Sequence, residues 1–231
     1  MSAWSDHVEK WKDCQACPLA KQRFRICIAR GTVPADVLFI GQAPGASEDA
    51  RGLPFDGPAG DLLNKIIDRA LANWQVPGTE GPAYNSVTYA LTNLVCCFPR
   101  EAKMEGSEEP HPSEIAACRP RLTEFVNIVR PKLIVYVGAL SAEYVDHGDT
   151  VRCVDIIHPA AILRRDMPLA QKNMAVQKVI VILRNAVEDM LQVGNVRFTK
   201  WGERHADVTS KDRLRSDYAA ATSNPDSDIP F

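Results

Sequence analysis

DVLFIGQAPGASEDARGLPFDGPAG, residues Asp36–Gly60, sets an apolar run of strand length directly before a loop of unusual composition. The run ends at Gly41, and the twenty residues Gly41–Gly60 hold five glycines and three prolines. Glycine permits dihedrals closed to other residues and lets backbone N–H groups approach a ligand, so this density points to a functional loop rather than a casual connection. Behind it, Asp61–Leu71 has the spacing of a helix. The segment therefore reads as strand, functional loop, helix. A structural Ω-loop is the competing reading, and the segment matches no G-x-G-x-x-G or P-loop pattern.

Outward from this stretch the same rhythm recurs. Val87–Val95 reads as a second strand, followed by a polar loop and a helix starting near Ser113, with Pro112 and Ser113 as start signals and Glu114 in its first turn. Lys132–Gly138 and Val151–Ile157 are a third and a fourth strand, and Asn173–Leu191 is an amphipathic helix with Val176, Val179, Ile180, Ile182 and Leu183 on its apolar stripe. Strands alternating with helices predict an α/β chain, a three-layer α/β/α sandwich on a central, mainly parallel four-stranded sheet. In such folds ligands bind at the carboxyl ends of the strands, where Gly41, Asn93, Gly138 and His158 fall. One domain over residues 1–195 and a flexible tail over 196–231 are expected, because beyond Leu191 both charge signs mix without periodicity.

The 231 residues are 45% hydrophobic and 24% charged, enough to bury a core. A formal charge of −2 excludes a globally basic nucleic-acid binder, so any contact with DNA must come from a local patch and from backbone amides. Met1–Asp13 alternates charges where a signal peptide needs an apolar stretch, and no long apolar run follows, so a soluble, cytoplasmic protein is expected, with no membrane partner and a monomeric state. Seven cysteines in such a chain argue against a disulfide framework. Cys14 and Cys17 have metal-ligand spacing, and Cys97 at a strand end and Cys118 on the next helix could complete a four-thiolate site. Spacing alone leaves open both a buried-thiol role, expected for Cys27 and Cys153, and the choice between zinc and an iron–sulfur cluster.

At this point the chain closely resembles the family 4, iron–sulfur, uracil-DNA glycosylases. The resemblance rests on CQACPL at Cys14–Leu19, the strand Ala35–Ile40, GQAPG at Gly41–Gly45, Glu48 with Asp49, GLPFDGPAG at Gly52–Gly60, TNLVCC at Thr92–Cys97, EIAAC at Glu114–Cys118 and HPAAILR at His158–Arg164. These segments occur in family order over roughly residues 10–190. The resemblance implies a [4Fe–4S] cluster on Cys14, Cys17, Cys97 and Cys118, structural rather than redox-active in catalysis, with Cys96 the neighbour that could compete.

It further implies a monofunctional glycosylase that flips uracil or a related base out of DNA and leaves an abasic site. Phe55 would stack on the base and Asn93 would read its Watson–Crick edge. His158, with the backbone near Gln42, would stabilise the departing anion. Leu163 would wedge into the vacated duplex while Arg164 and Arg165 meet phosphates. Two positions depart from the family. Gln42 stands where a glutamate usually orients water, with Glu48 or Asp49 as possible substitutes, and Asp56 follows the stacking Phe55 where a small apolar residue is usual. These departures keep open altered base specificity and a catalytically silent DNA- or partner-binding module. Arg100–Pro112 contains His111 but lacks the basic run of the superfamily branch that traps its product covalently. The last residues, with Asp228, Ile229, Pro230 and Phe231, resemble the C-terminal tip of bacterial single-stranded-DNA-binding proteins, which implies docking on replication or repair proteins that receive that tip.

Overall fold

The computed structural model describes residues 2–71, 87–100, 109–145 and 151–192. The expected tail 196–231 and its tip Asp228–Phe231 lie outside the described residues. The chain runs α1 (Ala3–Trp11), a 3-10 turn (Pro18–Lys21), β1 (Arg30–Gly31), β2 (Val37–Gly41), α2 (Ala46–Arg51), α3 (Pro58–Leu71) and β3 (Tyr89–Asn93). It continues with α4 (Pro112–Val129), β4 (Leu133–Val137), α5 (Ala139–Tyr144), β5 (Arg152–Ile156), α6 (Pro159–Ile162) and α7 (Leu169–Gln192). The sheet has the order β1-β3-β2-β4-β5. Every pairing is parallel except β1 with β3.

The three-layer arrangement follows from period-two alternation within strands. On β2, Leu38 and Ile40 face one side and pack with Ile115, Leu122, Phe125, Val126 and Val129 of α4. Val37 and Phe39 face the other, against Leu63, Ile66, Ile67 and Ala70 of α3 and Val179, Ile180, Leu183 and Val187 of α7. A strand apolar on both faces must be central, and β2 is. The expectation of four strands is corrected to five. Two-residue β1 pairs antiparallel through Arg30↔Leu91 and Gly31↔Ala90, and it is too short to carry a hydrophobic period. Among the described residues no helix is long and apolar enough to cross a membrane.

The N-terminal segment is carried by α1, which docks on α4. Ser2 caps α1, its hydroxyl accepting the Ser5 N–H at 3.1 Å. His7 is fully buried among Trp4, Trp11 and Phe125, and its Nδ1 lies 2.8 Å from Glu124 Oε1 on α4; Lys10 pairs with the same carboxylate. This contact fixes the helix end from which Cys14 and Cys17 follow. Burial lowers the His7 pKa from its ordinary 6.5 against the opposing pull of Glu124. A depressed histidine stabilises the fold fully above 6.5, and that contribution is lost as pH falls through the folded value. The unfolding midpoint is therefore expected to drop on acidification below 6.5, more steeply in the native protein than in His7→Phe; equal slopes in denaturation curves across that range would show that His7 carries no such linkage.

Candidate functional site

Parallel register brings four residues to one edge. Gly41 pairs with Asn93 at the ends of β2 and β3, and the Gly138 N–H just past β4 donates to the Ile156 carbonyl at 2.9 Å, two residues before His158. Along β3, β2, β4 and β5 the ends of Asn93, Gly41, Gly138 and His158 are thus separated by three strand spacings of about 4.8 Å, the scale of a nucleoside between side chains.

Phe55 enters this edge from the loop after α2. A Cβ built on Gly41 would collide with the Asn93 side-chain oxygen and would lie 2.5 Å from Phe55 Cζ. The amide and the ring therefore meet over the bare backbone of Gly41. Phe55 holds φ +54°, a left-handed conformation that costs a non-glycine residue about 1–3 kcal/mol and persists only where surroundings impose it. Arg30 imposes it: Nε donates to the Pro54 carbonyl at 2.7 Å, and Nη2 donates to the Phe55 carbonyl at 3.0 Å and to Asn64 Oδ1 at 2.8 Å. On the opposite side a side chain on Gly60 would overlap the same Phe55 carbonyl.

The acidic residues of α2 have structural duties. Glu48 Oε2 accepts the Gly45 N–H at 3.1 Å, and its carboxylate lies against Gly57. Asp49 is fully buried; Oδ1 accepts the Phe24 N–H at 2.9 Å and Oδ2 pairs with Arg100 at 2.8 Å. The carboxylate of Asp56 pairs with Arg51 at 3.4 Å on the rim. His158 caps α6, its Nδ1 accepting the Ala160 N–H at 3.2 Å, an arrangement that leaves the proton of the neutral ring on Nε2. Leu163, Arg164 and Arg165 are exposed on the turn that follows. His111 caps α4, with Nδ1 accepting the Ser113 N–H at 3.3 Å and the Glu114 carboxylate accepting the His111 N–H at 2.8 Å.

Cys14, Cys17, Cys97 and Cys118 line one cavity, with Cys96, Trp11, Arg23 and Arg121 also in its wall. Among the described residues no three His, Cys, Asp or Glu side chains converge tightly enough for a lone metal ion; the sulfurs surround a space instead. Several lining residues carry hydrogen-bond donors. Arg23 Nη1 donates to Cys97 Sγ at 3.3 Å, and Trp11 Nε1 and Arg121 Nε are buried with no acceptor. Buried donors without acceptors are costly, and sulfur anions placed in this cavity would satisfy them. The neighbouring Cys96 thiol, with Arg121 assisting, lowers the Cys118 thiol to about 5, while complete burial raises Cys96. Cys97 is pushed up to about 11 by burial against the pull of Arg23. Cys27 and Cys153 are pushed by burial to about 12, as unreactive thiols.

Sequence reasoning missed Arg23, Arg30, Arg100 and Arg121. Each acts on main-chain carbonyls or a buried partner distant in sequence, which leaves no local signature.

Fold and site define an α/β protein that gathers Phe55, Asn93 and His158 at the carboxyl edge of a mainly parallel sheet and has a separate thiol-lined cavity. The chain belongs to the uracil DNA glycosylase superfamily, whose profile matches residues 29–184. It is 36% identical over 140 residues to the type-4 uracil-DNA glycosylase of Saccharolobus solfataricus, covering 61% of this chain and 56% of that one. It is 31% identical over 143 residues to the Thermotoga maritima enzyme of the same name, covering 62% and 66%, and 27% identical over 187 residues to that of Archaeoglobus fulgidus, covering 71% and 85%. The chain spans little more than half the length of the first of these relatives.

Replacing Arg30 with alanine is expected to cost about 1–3 kcal/mol of stability, because two carbonyls and an amide lose a charged donor. It should also raise hydrogen exchange in Gly52–Gly57, and Arg30→Lys should recover only part of either effect. Denaturant melts and exchange mass spectrometry check this.

Proposed function

We propose that the protein is a monofunctional DNA glycosylase that hydrolyses uracil, or a closely related base, from DNA and leaves an abasic site. One observation carries the reading: the Phe55 ring and the Asn93 amide meet over Gly41, one to stack on a planar base and the other to donate and accept along its edge. A flipped nucleotide is required, since the anomeric carbon is shielded in a stacked duplex. The exposed Leu163 is suited to fill the gap, and Arg164 and Arg165 to hold the flanking phosphates.

The bond between the base nitrogen and the sugar C1′ breaks with both electrons going to the base, so negative charge grows on the base while C1′ becomes cationic. His158 meets the first demand by donating from Nε2 toward the uracil O2, a role consistent with its accepting Nδ1. Gln42, one residue past β2, can orient the water that adds to C1′. An amide does not accept the proton, which passes to bulk water as the new C–O bond forms. Glu48 and Asp49 are occupied by main-chain N–H groups and Arg100, so neither takes the place of a carboxylate at position 42. Asp56, which pairs with Arg51, would discriminate exocyclic groups on the base.

The four cysteines Cys14, Cys17, Cys97 and Cys118 in the cavity wall and the buried donors without acceptors on its lining residues fit a [4Fe–4S] cluster on those four sulfurs. When bound, such a cluster supplies structural cross-linking between the N-terminal segment, the end of β3 and α4. Cys96 serves as a thiol donor beside it. Cys97→Ser is expected to lose iron and visible absorbance, whereas Cys96→Ser keeps both; the reverse pattern would reassign the ligands.

A base-binding module without catalysis is the second reading, favoured by Gln42 alone. Incubation with single- and double-stranded oligonucleotides carrying uracil, hypoxanthine, xanthine or modified pyrimidines, followed by alkali cleavage, separates the two. Excision of uracil is expected, reduced about 100-fold or more in His158→Ala and in Asn93→Ala, and raised about tenfold or more in Gln42→Glu. No alkali-labile sites on any substrate would establish the silent reading.

A further inference from the structure

Arg121 follows Cys118 by one turn of α4 and is 2% exposed. No carboxylate among the described residues forms an ion pair with it. Its Nη1 donates to the Thr92 hydroxyl at 2.7 Å, and Nη2 donates to the carbonyls of Asn93 and Leu94 at 2.6 and 3.0 Å and toward Cys118 Sγ at 3.7 Å. Nε has no acceptor, and the side chain lines the thiol cavity. A buried cation is costly unless an anion faces it, and thiolate sulfur is the anion this geometry offers.

We propose that Arg121 is a positioning residue that ties the base-reading end of β3 to the negative charge of the cysteine site. The guanidinium takes its counter-charge from the sulfur side and grips the main chain of Asn93 and Leu94 with the same nitrogen. From that held backbone the Asn93 amide extends the other way, over Gly41 toward Phe55. Loss of the anion leaves a buried cation on one hydroxyl and two carbonyls, so the anion site and the aim of Asn93 are coupled. The inference rests on the glycosylase and cluster readings above.

The test uses the full chain with Arg121→Lys and Arg121→Met. Lysine keeps a cation near Cys118, but one ammonium cannot span a hydroxyl, two carbonyls and a sulfur. Three quantities are measured: iron and sulfide per chain, the midpoint reduction potential of the metal centre, and relative affinity for single-stranded oligonucleotides carrying 2′-fluoro-deoxyuridine, which resists hydrolysis, or thymidine. Arg121→Lys is expected to keep its iron and its affinity for the thymidine oligonucleotide while losing roughly tenfold in preference for the uracil one, the cost of a charged multi-centre hold reduced to a single bond. Arg121→Met is expected to bind less iron or to show a more negative potential. Unchanged uracil preference in both variants overturns the coupling, and unchanged iron and potential in Arg121→Met overturns the counter-charge assignment. A native chain without iron overturns the cluster reading and this inference with it. A native chain that holds iron but does not favour uracil removes only the glycosylase reading, and the potential shift still reports on Arg121.

Discussion

The volume above the Cα of Gly41 belongs to two side chains from different parts of the chain, and the site depends on that shared occupancy. Parallel pairing of β2 with β3 brings Asn93 opposite Gly41, and the loop after α2 delivers Phe55 to the same point. Any side chain at position 41 would have to displace an amide or an aromatic ring. The glycine is thus required by close approach rather than by its dihedral angles. The strand register fixes Asn93 and the Arg30 hydrogen bonds fix the loop that carries Phe55, so the amide and the ring keep one arrangement.

Arginines hold the surrounding loops in place. A loop that must keep an aromatic residue in left-handed backbone needs its carbonyls fixed, and Arg30 fixes two of them while reaching α3. Arg100 meets the buried Asp49, which in turn anchors the N–H groups of Phe24 and Arg25. Arg121 does the same for the end of β3. A chain of net charge −2 thereby ties several of its cations to internal main-chain and carboxylate partners, while Arg164 and Arg165 remain exposed.

Much of this was legible in the sequence because it obeys a period. DVLFIG and KLIVYVG are unbroken apolar runs of strand length, and both proved to be central parallel strands buried on both faces. The spacing of Leu63, Ile66, Ile67 and Ala70 gave α3 its buried stripe. The strand-end positions of Asn93 and His158 followed from Val87–Val95 and Val151–Ile157. Strand β1 was not legible, since two residues carry no alternation. Nor was the convergence of Arg30 on Phe55, 25 residues away in sequence, which depends on the edge pairing of β1 with β3. Gly41–Gly60 was recognisable as functional from its glycines, but the duties of Glu48 and Asp49 became visible only once Gly45, Gly57, Phe24 and Arg100 were in place around them.

The central claim is that a flipped pyrimidine stacks on Phe55 and turns its edge to Asn93, beside the point where the two side chains meet over Gly41. A crystal structure of the protein with a single-stranded oligonucleotide carrying 2′-fluoro-deoxyuridine measures this directly. The account predicts the uracil ring stacked on Phe55, its edge hydrogen-bonded to the Asn93 amide and its O2 facing His158. A uracil bound elsewhere on the surface, or a cleft at Gly41 left without the base while DNA is bound, would contradict it.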